Sequence, residues 1–173
     1  FHLQIFFLGH RAKQYLDLAN GPQSAILDRS IYEDAYIFCR ALHHMGNLNE
    51  RDFLAYRRLF DLVVSQLPPP DLLIYLKSTV PNLVQQIQKR GRVYEESIRL
   101  DYLKSLNERY EAWISRYKGG KLLIVNVDEV KFAENARDLG FVIEKIQAEI
   151  HGLSVRSPKT GMPVSFGQLA PPH

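Results

Sequence analysis

The chain has 173 residues, of which 46% are hydrophobic and 24% charged, a composition that excludes an intrinsically disordered protein. Its formal net charge is only +3, with basic and acidic residues interleaved, so neither a nucleic-acid polymer nor a membrane surface is expected as a partner. The apolar runs are too short to span a bilayer and the first residues lack a signal-peptide pattern, which predicts a cytoplasmic location.

The single cysteine, Cys39, excludes an internal disulfide and a cysteine-rich metal site. Because it lies within an apolar helical pattern, we expect a packed thiol in a reducing compartment. Phe1 is not a natural start residue, so we expect that the chain begins inside a longer gene product or has been cut.

Hydrophobic periodicity and helix-breaking residues predict helices alternating with short strands. Ser30 with Glu33 has the form of a capping box, and Asn49 is a favoured N-cap. In chain order, the predicted elements are a helix to about residue 18, a strand at 24–27, helices at about 31–45 and from Asn49 to the prolines 68–70, a strand at 71–77, helices at about 81–91 and 97–117, a strand at 121–127 and a helix at 132–150.

Three apolar strands alternating with helices predict an α/β fold, a three-layer arrangement with a parallel sheet flanked by helices. Residues 1–151 are expected to form one domain. Residues 152–173 are rich in Gly, Pro and Ser without a period, and this predicts a flexible tail.

Charged residues follow the first predicted strand, at the end where ligands bind in open α/β sheets. Asp28 suits a hard cation such as Mg²⁺, Arg29 suits phosphate oxygens, and Ser30 would cap the next helix. The alternative is that Asp28 and Arg29 pair with each other or with a neighbouring helix end.

Three segments in this order resemble the deoxyribonucleoside kinases that act on deoxyadenosine, deoxyguanosine or deoxycytidine. They are "FHLQIFFLGHR" at 1–11, "DRSIYEDAYIF" at 28–38 and "QKRGRVYEESIRLDYLKSLNERYEAWI" at 88–114. The resemblance implies a P-loop-kinase-like fold and phosphoryl transfer from ATP, with Mg²⁺, to the 5′-hydroxyl of a deoxyribonucleoside. It also implies a homodimer, for which the apolar helices 31–45 and 97–117 are candidate interfaces.

For the base, the resemblance implies that Gln4 forms hydrogen bonds to its edge and that Arg11 and Asp34 pair over it. Gln4 and Arg11 are seven residues apart, which places them on one helix face. Asp34 lies in an apolar stretch and needs a partner such as Arg11. The alternative for Gln4 and Arg11 is a solvated helix face.

For the phosphates and sugar, the resemblance implies a lid in which Arg90 and Arg92 neutralise the transferring group, while Glu95 accepts a hydrogen bond from the 3′-hydroxyl. The alternative is that these arginines only complement a helix dipole. The family often carries another arginine where this chain has Gln86. Phe132 resembles a residue that packs on the donor adenine, although a core position is the simpler interpretation.

The sequence contains neither the GxxxxGK[ST] phosphate loop nor the general base with which the family begins. If the chain were complete, we would expect no useful kinase activity; otherwise the missing part exists elsewhere in the molecule, or this portion associates strongly. Two alternatives stay open: a non-catalytic nucleoside-binding remnant and a thymidylate-type nucleoside monophosphate kinase. Among kinase substrates, deoxyadenosine or deoxyguanosine is slightly favoured.

Overall fold

A computed structural model describes residues 1–95 and 98–152, so the predicted tail at 152–173 lies outside the described residues except for Gly152. The helices and strands are α1 (His2–Ala19), α2 (Ile31–Glu33), a π-helical turn (Asp34–Cys39), α3 (Arg40–His44), α4 (Glu50–Val64), β1 (Leu72–Lys77), α5 (Val80–Arg90), a 3₁₀ turn (Val93–Glu95), α6 (Leu100–Ile114), β2 (Lys121–Asn126) and α7 (Ala136–His151).

Side-chain caps set where two of the helices begin. Asn49 Oδ1 accepts a hydrogen bond from Asp52 N at 2.9 Å, as its position before α4 predicts. Asn135 Oδ1 accepts from Arg137 N at 2.9 Å, which is why α7 begins at Ala136 and not at residue 132 as predicted. The helix predicted at 97–117 is also shorter than expected and occupies Leu100–Ile114.

The helix predicted at 31–45 contains a π-helical turn over Asp34–Cys39. Such a turn closes its hydrogen bonds one residue later than an α-helix and is frequent at functional sites. The periodicity of the sequence predicted the helix but not this turn.

The prediction of a strand at 24–27 is wrong. These residues are irregular and the side chain of Ile26 is 90% exposed. A strand is stabilised by a hydrogen-bonded neighbour, and the described sheet pairs β1 with β2 alone. The described sheet therefore has two strands instead of three, β1 and β2, which pair in parallel from Leu72 with Lys121 to Lys77 with Asn126.

The first of two compact units contains Phe1–Pro69 and Val84–Lys118. Its core is a cluster of buried side chains from α1, the helices that follow and α4, namely Leu8, Ile31, Ala35, Cys39, Leu48, Tyr56 and Phe60. Cys39 is fully buried, which confirms the predicted packed thiol, and burial raises its pKa to about 11.

The second unit contains Pro70–Leu83 and, of the described residues, 119–152. Leu123 and Val125 of β2 pack with Val142 of α7 to form its core. Across both units, no helix in the described ranges is long and apolar enough to cross a bilayer.

Candidate active site

The loop between α1 and α2 holds Arg29 in an unusual backbone conformation. Its φ of 67° lies in the left-handed region that side-chain-bearing residues rarely adopt. The guanidinium carbon lies 4.9 Å from the centroid of the Phe38 ring, in a cation–π contact. Strained residues of this kind persist where the surrounding structure holds them, and they cluster at functional sites.

Arg11 contacts two parts of this region with one guanidinium group. Its Nε lies 3.0 Å from Asp34 Oδ2, which confirms the predicted pairing of these two residues. Its Nη1 donates to the backbone carbonyl of Asp28 at 3.2 Å, a contact that the sequence did not indicate. Arg11 therefore links the π-helical turn to the loop that carries Asp28 and Arg29.

The Arg11–Asp34 pair is mostly withdrawn from solvent, with side-chain exposures of 21% and 10%. Burial raises the pKa of the Asp34 carboxyl group, and the charges of Arg11 and Arg29 oppose this rise. Gln4, on the same helix as Arg11, is also buried. A solvated face is therefore excluded for Gln4, which like Asp34 is buried in the first unit, whereas Arg11 is partly buried there.

The segment predicted to be a lid contains a second cluster, around Glu95. Arg90 Nη2 lies 3.3 Å from Glu95 Oε2, and Arg92 Nη1 lies 3.4 Å from Glu95 Oε1. Glu95 is buried, whereas both arginine side chains are half exposed. Arg92 and Glu95 also line a cleft with mostly apolar walls, formed by Val84, Ile87, Gln88, Ile98 and Leu103.

Phe132 lies in the second unit, between β2 and α7. It is partly buried and packs against the core of Leu123, Val125 and Val142. This is the simpler of the two interpretations of the residue, and a contact with the donor adenine stays a prediction.

The structure thus gathers the charged residues among the predicted site residues of the first unit into two sets. Asp28 and Arg29 are connected with Arg11 and Asp34, whereas Arg90 and Arg92 are connected with Glu95. That both sets face one cleft stays a prediction.

Asp28 is the candidate ligand for a metal ion. Within residues 1–95 and 98–152 its carboxylate makes no hydrogen bond or ion pair, and no group of three or more His, Cys, Asp or Glu is arranged for a metal. Mg²⁺ is commonly held by one or two carboxylates together with waters and substrate phosphates, so an exposed single carboxylate fits this ion.

The side chain of Glu33 is held by two hydrogen bonds, of which the sequence predicted only one. Its Oε2 accepts a hydrogen bond from Ser30 N at 2.5 Å, as the capping box predicted. Its Oε1 accepts from the hydroxyl of Tyr110, on α6, at 3.0 Å. Tyr110 lies 77 residues further along the chain, and no local pattern could have indicated this contact. Phe38 was missed too, because it continues an apolar helical pattern.

Comparison with known proteins gives consistent results. Residues 1–151 match the deoxynucleoside kinase family. A deoxyadenosine/deoxycytidine kinase of Bacillus subtilis is 31% identical over 153 residues, which cover 87% of this chain and 70% of the relative. A deoxyguanosine kinase of the same organism is 31% identical over 163 residues, covering 90% and 74%.

Among solved structures, a deoxyadenosine kinase from M. mycoides with bound dATP superimposes with a TM-score of 0.68 at 26% identity, over 84% of this chain and 73% of that one. This likeness confirms the predicted α/β, P-loop-kinase-like fold. The matched range includes all three segments on which the predicted resemblance rested. The chain belongs to the deoxynucleoside kinase family.

Proposed function

We propose that this protein transfers the γ-phosphoryl group of ATP to the 5′-hydroxyl of a deoxyribonucleoside, with a purine nucleoside as the preferred acceptor. Family membership supports the reaction class. The observation that carries the assignment of the acceptor site is the mostly buried pair of Arg11 with Asp34, in which Arg11 lies on the same helix as the buried Gln4. Polar groups withdrawn from solvent in this way are suited to reading a base edge.

At the base end, the primary amide of Gln4 offers two donor hydrogens and one acceptor oxygen. It can therefore form paired hydrogen bonds to adenine, guanine or cytosine. Arg11 and Asp34 would discriminate among these bases, because each already holds the other in place and an ill-matched base would leave a buried polar atom without a partner.

At the phosphate end, Arg29, Arg90 and Arg92 would stabilise charge on the transferring group. Glu95 would accept a hydrogen bond from the sugar 3′-hydroxyl. A carboxylate has about four acceptor positions, so Glu95 can take a hydroxyl while it keeps contact with Arg90 and Arg92. Glu95 would then position both the sugar and the two lid arginines.

Asp28 would hold Mg²⁺ through its exposed carboxylate, together with water and nucleotide phosphates. When bound, this ion supplies neutralisation of phosphate charge. Phe132 would contact the donor adenine, and the protein would act as a homodimer.

The preference for a purine rests on relatives that include deoxyadenosine/deoxycytidine and deoxyguanosine kinases. Deoxycytidine is therefore the main competing acceptor. A nucleoside-binding protein without catalytic activity is the second candidate function, because the same Gln4, Arg11 and Asp34 would serve binding alone.

The test is isothermal titration with deoxyadenosine, deoxyguanosine, deoxycytidine and thymidine, paired with an assay of radiolabelled phosphate transfer from ATP to each nucleoside and to thymidylate. Gln4→Ala is expected to weaken purine nucleoside binding by about tenfold or more, because it removes paired hydrogen bonds. Gln14→Ala is the matched control, since Gln14 is an exposed glutamine on the same helix and should leave affinity unchanged.

Tighter binding of deoxycytidine would reverse the proposed preference. Binding without phosphate transfer would favour the non-catalytic candidate. If the unsubstituted protein bound none of the four nucleosides, or if it preferred thymidylate as acceptor, the proposal would be wrong.

A further inference from the structure

The backbone on both sides of Arg29 is anchored by side chains from other parts of the chain. On one side, Arg11 Nη1 donates to the carbonyl oxygen of Asp28 at 3.2 Å. On the other, Ser30 N donates to Glu33 Oε2 at 2.5 Å. These two groups belong to the two peptide planes that flank the Arg29 Cα atom, and the orientations of the planes are what φ and ψ of a residue describe.

Such anchoring is needed here because the left-handed conformation of Arg29 is unfavourable. At a φ of 67° the Cβ of Arg29 approaches the following carbonyl oxygen, so a short exposed loop would otherwise relax. The cation–π contact with Phe38 holds only the guanidinium end of the Arg29 side chain, so this contact alone would not fix φ and ψ of Arg29. Fixing both peptide planes fixes the direction in which the side chain leaves the loop.

Glu33 is in turn oriented by Tyr110. Because the Tyr110 hydroxyl donates to Oε1 at 3.0 Å, the carboxylate is held with Oε2 towards the Ser30 amide. Both residues lie within the first unit. The connection therefore runs from α6 through Glu33 to the peptide that follows Arg29.

We propose that Glu33 and Tyr110 are positioning residues, which hold the Arg29 turn and so direct its guanidinium group towards the phosphate that is transferred. Neither residue touches substrate in this role. The inference rests on the proposed function for its effect on turnover, but the anchoring itself is a property of the folded chain.

The test compares Tyr110→Phe with Tyr117→Phe. The first removes the hydroxyl that orients Glu33. The second is a matched control, because the Tyr117 hydroxyl is buried without a hydrogen-bond partner in the described structure. We expect Tyr110→Phe to lower kcat by about 3- to 10-fold with the nucleoside KM nearly unchanged, the effect of one lost hydrogen bond. Tyr117→Phe should leave both constants unchanged.

A double-mutant cycle separates positioning from a general loss of stability. If Tyr110 acts through Arg29, the effect of Tyr110→Phe disappears once Arg29 is replaced by Ala. Full additivity of the two substitutions would overturn the proposal. Glu33→Gln should retain most activity because its amide oxygen still accepts from Ser30 N, whereas Glu33→Ala should lose about tenfold or more.

A readout independent of activity is hydrogen exchange of the Ser30 amide, followed by NMR. Exchange should be several-fold faster in Tyr110→Phe than in Tyr117→Phe. Equal exchange in the two variants would overturn the inference even if the enzyme is active. If the unsubstituted protein transfers no phosphate but Ser30 exchange still depends on Tyr110, the proposed function fails and the anchoring stands.

Discussion

At the scale of single residues, Arg11 contacts two parts of the candidate site, whereas the sequence predicted only one of these contacts. Its guanidinium group contacts the Asp34 carboxylate through Nε and the Asp28 carbonyl through Nη1. The side chain proposed to read the base therefore also holds the loop proposed to face the phosphates. A single substitution should disturb both ends of the acceptor.

Arg11→Lys tests this double role. An ammonium group is a single point of positive charge and cannot reproduce the two contacts of a planar guanidinium fork. We expect nucleoside affinity to fall by about tenfold and turnover to fall as well, measured by isothermal titration and by phosphate transfer. Arg58→Lys, at an exposed arginine on α4, is the control and should change neither quantity. Unchanged affinity in Arg11→Lys would remove this residue from the acceptor site.

At the scale of secondary structure elements, α5 begins at a cap from a distant part of the second unit. Asp128, just after β2, accepts hydrogen bonds from Ser78 Oγ at 2.7 Å and from Thr79 N at 3.0 Å. Asn82 Nδ2 donates to Ser78 Oγ at 2.8 Å and completes the network. Burial by itself would raise the pKa of Asp128, but the hydrogen bonds from Thr79, Ser78 and Asn82 together lower it.

Asp128→Ala is expected to lower the free energy of unfolding by about 1 kcal/mol at pH 7, the usual cost of a lost helix cap. Because the pKa of Asp128 is lower in the folded protein, its stabilisation is fully present above the ordinary value of 3.8. It is lost as the pH falls below that value through the lowered pKa. The difference in Tm between the two proteins should therefore shrink in acid, as measured by thermal unfolding from pH 7 to pH 3.

The control for this prediction is Asp61→Ala, which changes an exposed carboxylate on α4. Its Tm should stay close to that of the unsubstituted protein at every pH. If the difference in Tm between Asp128→Ala and the unsubstituted protein were the same at every pH, this result would contradict the lowered pKa of Asp128.

At the scale of the whole molecule, the two units each bury their own apolar cluster, but α1 leaves apolar side chains exposed. Leu3 and Phe6 are 61% and 64% exposed, one helical turn apart. The helix predicted at 31–45, one of the two expected at a dimer interface, buries Ala35, Ile37 and Cys39 within the first unit. The exposed apolar side chains of α1 are therefore one surface available to a second copy, and the interface expected on the helices at 31–45 and 97–117 stays a prediction.

We expect the protein to form the proposed homodimer in solution, with a mass by light scattering of about twice the 20.0 kDa of one chain. Phe6→Ser should shift the equilibrium towards the monomer, because it removes apolar area from α1. Ile26→Ser is the control, since Ile26 is also exposed but lies in the loop before Asp28. A single-chain mass at all concentrations would contradict the dimer.

The sequence by itself determined those features that local physics controls. Hydrophobic periodicity predicted the helices and the two paired strands, and Asn49, Ser30 and Glu33 predicted helix starts because a cap acts within one turn. A carboxylate in an apolar stretch needs a counter-charge, and this predicted the partner of Asp34. The three segments that resemble deoxynucleoside kinases predicted the family.

The tertiary structure decided what depends on groups distant in the chain. Residues 24–27 have strand-like composition but form no strand, because a strand depends on a neighbour and not on its own residues. The left-handed turn at Arg29 follows from anchors on α1 and α2, and the contact of Tyr110 with Glu33 joins positions that no sequence period relates. Local conformational preferences determine where most helices and strands form, whereas contacts between distant parts of the chain determine the directions of the functional side chains.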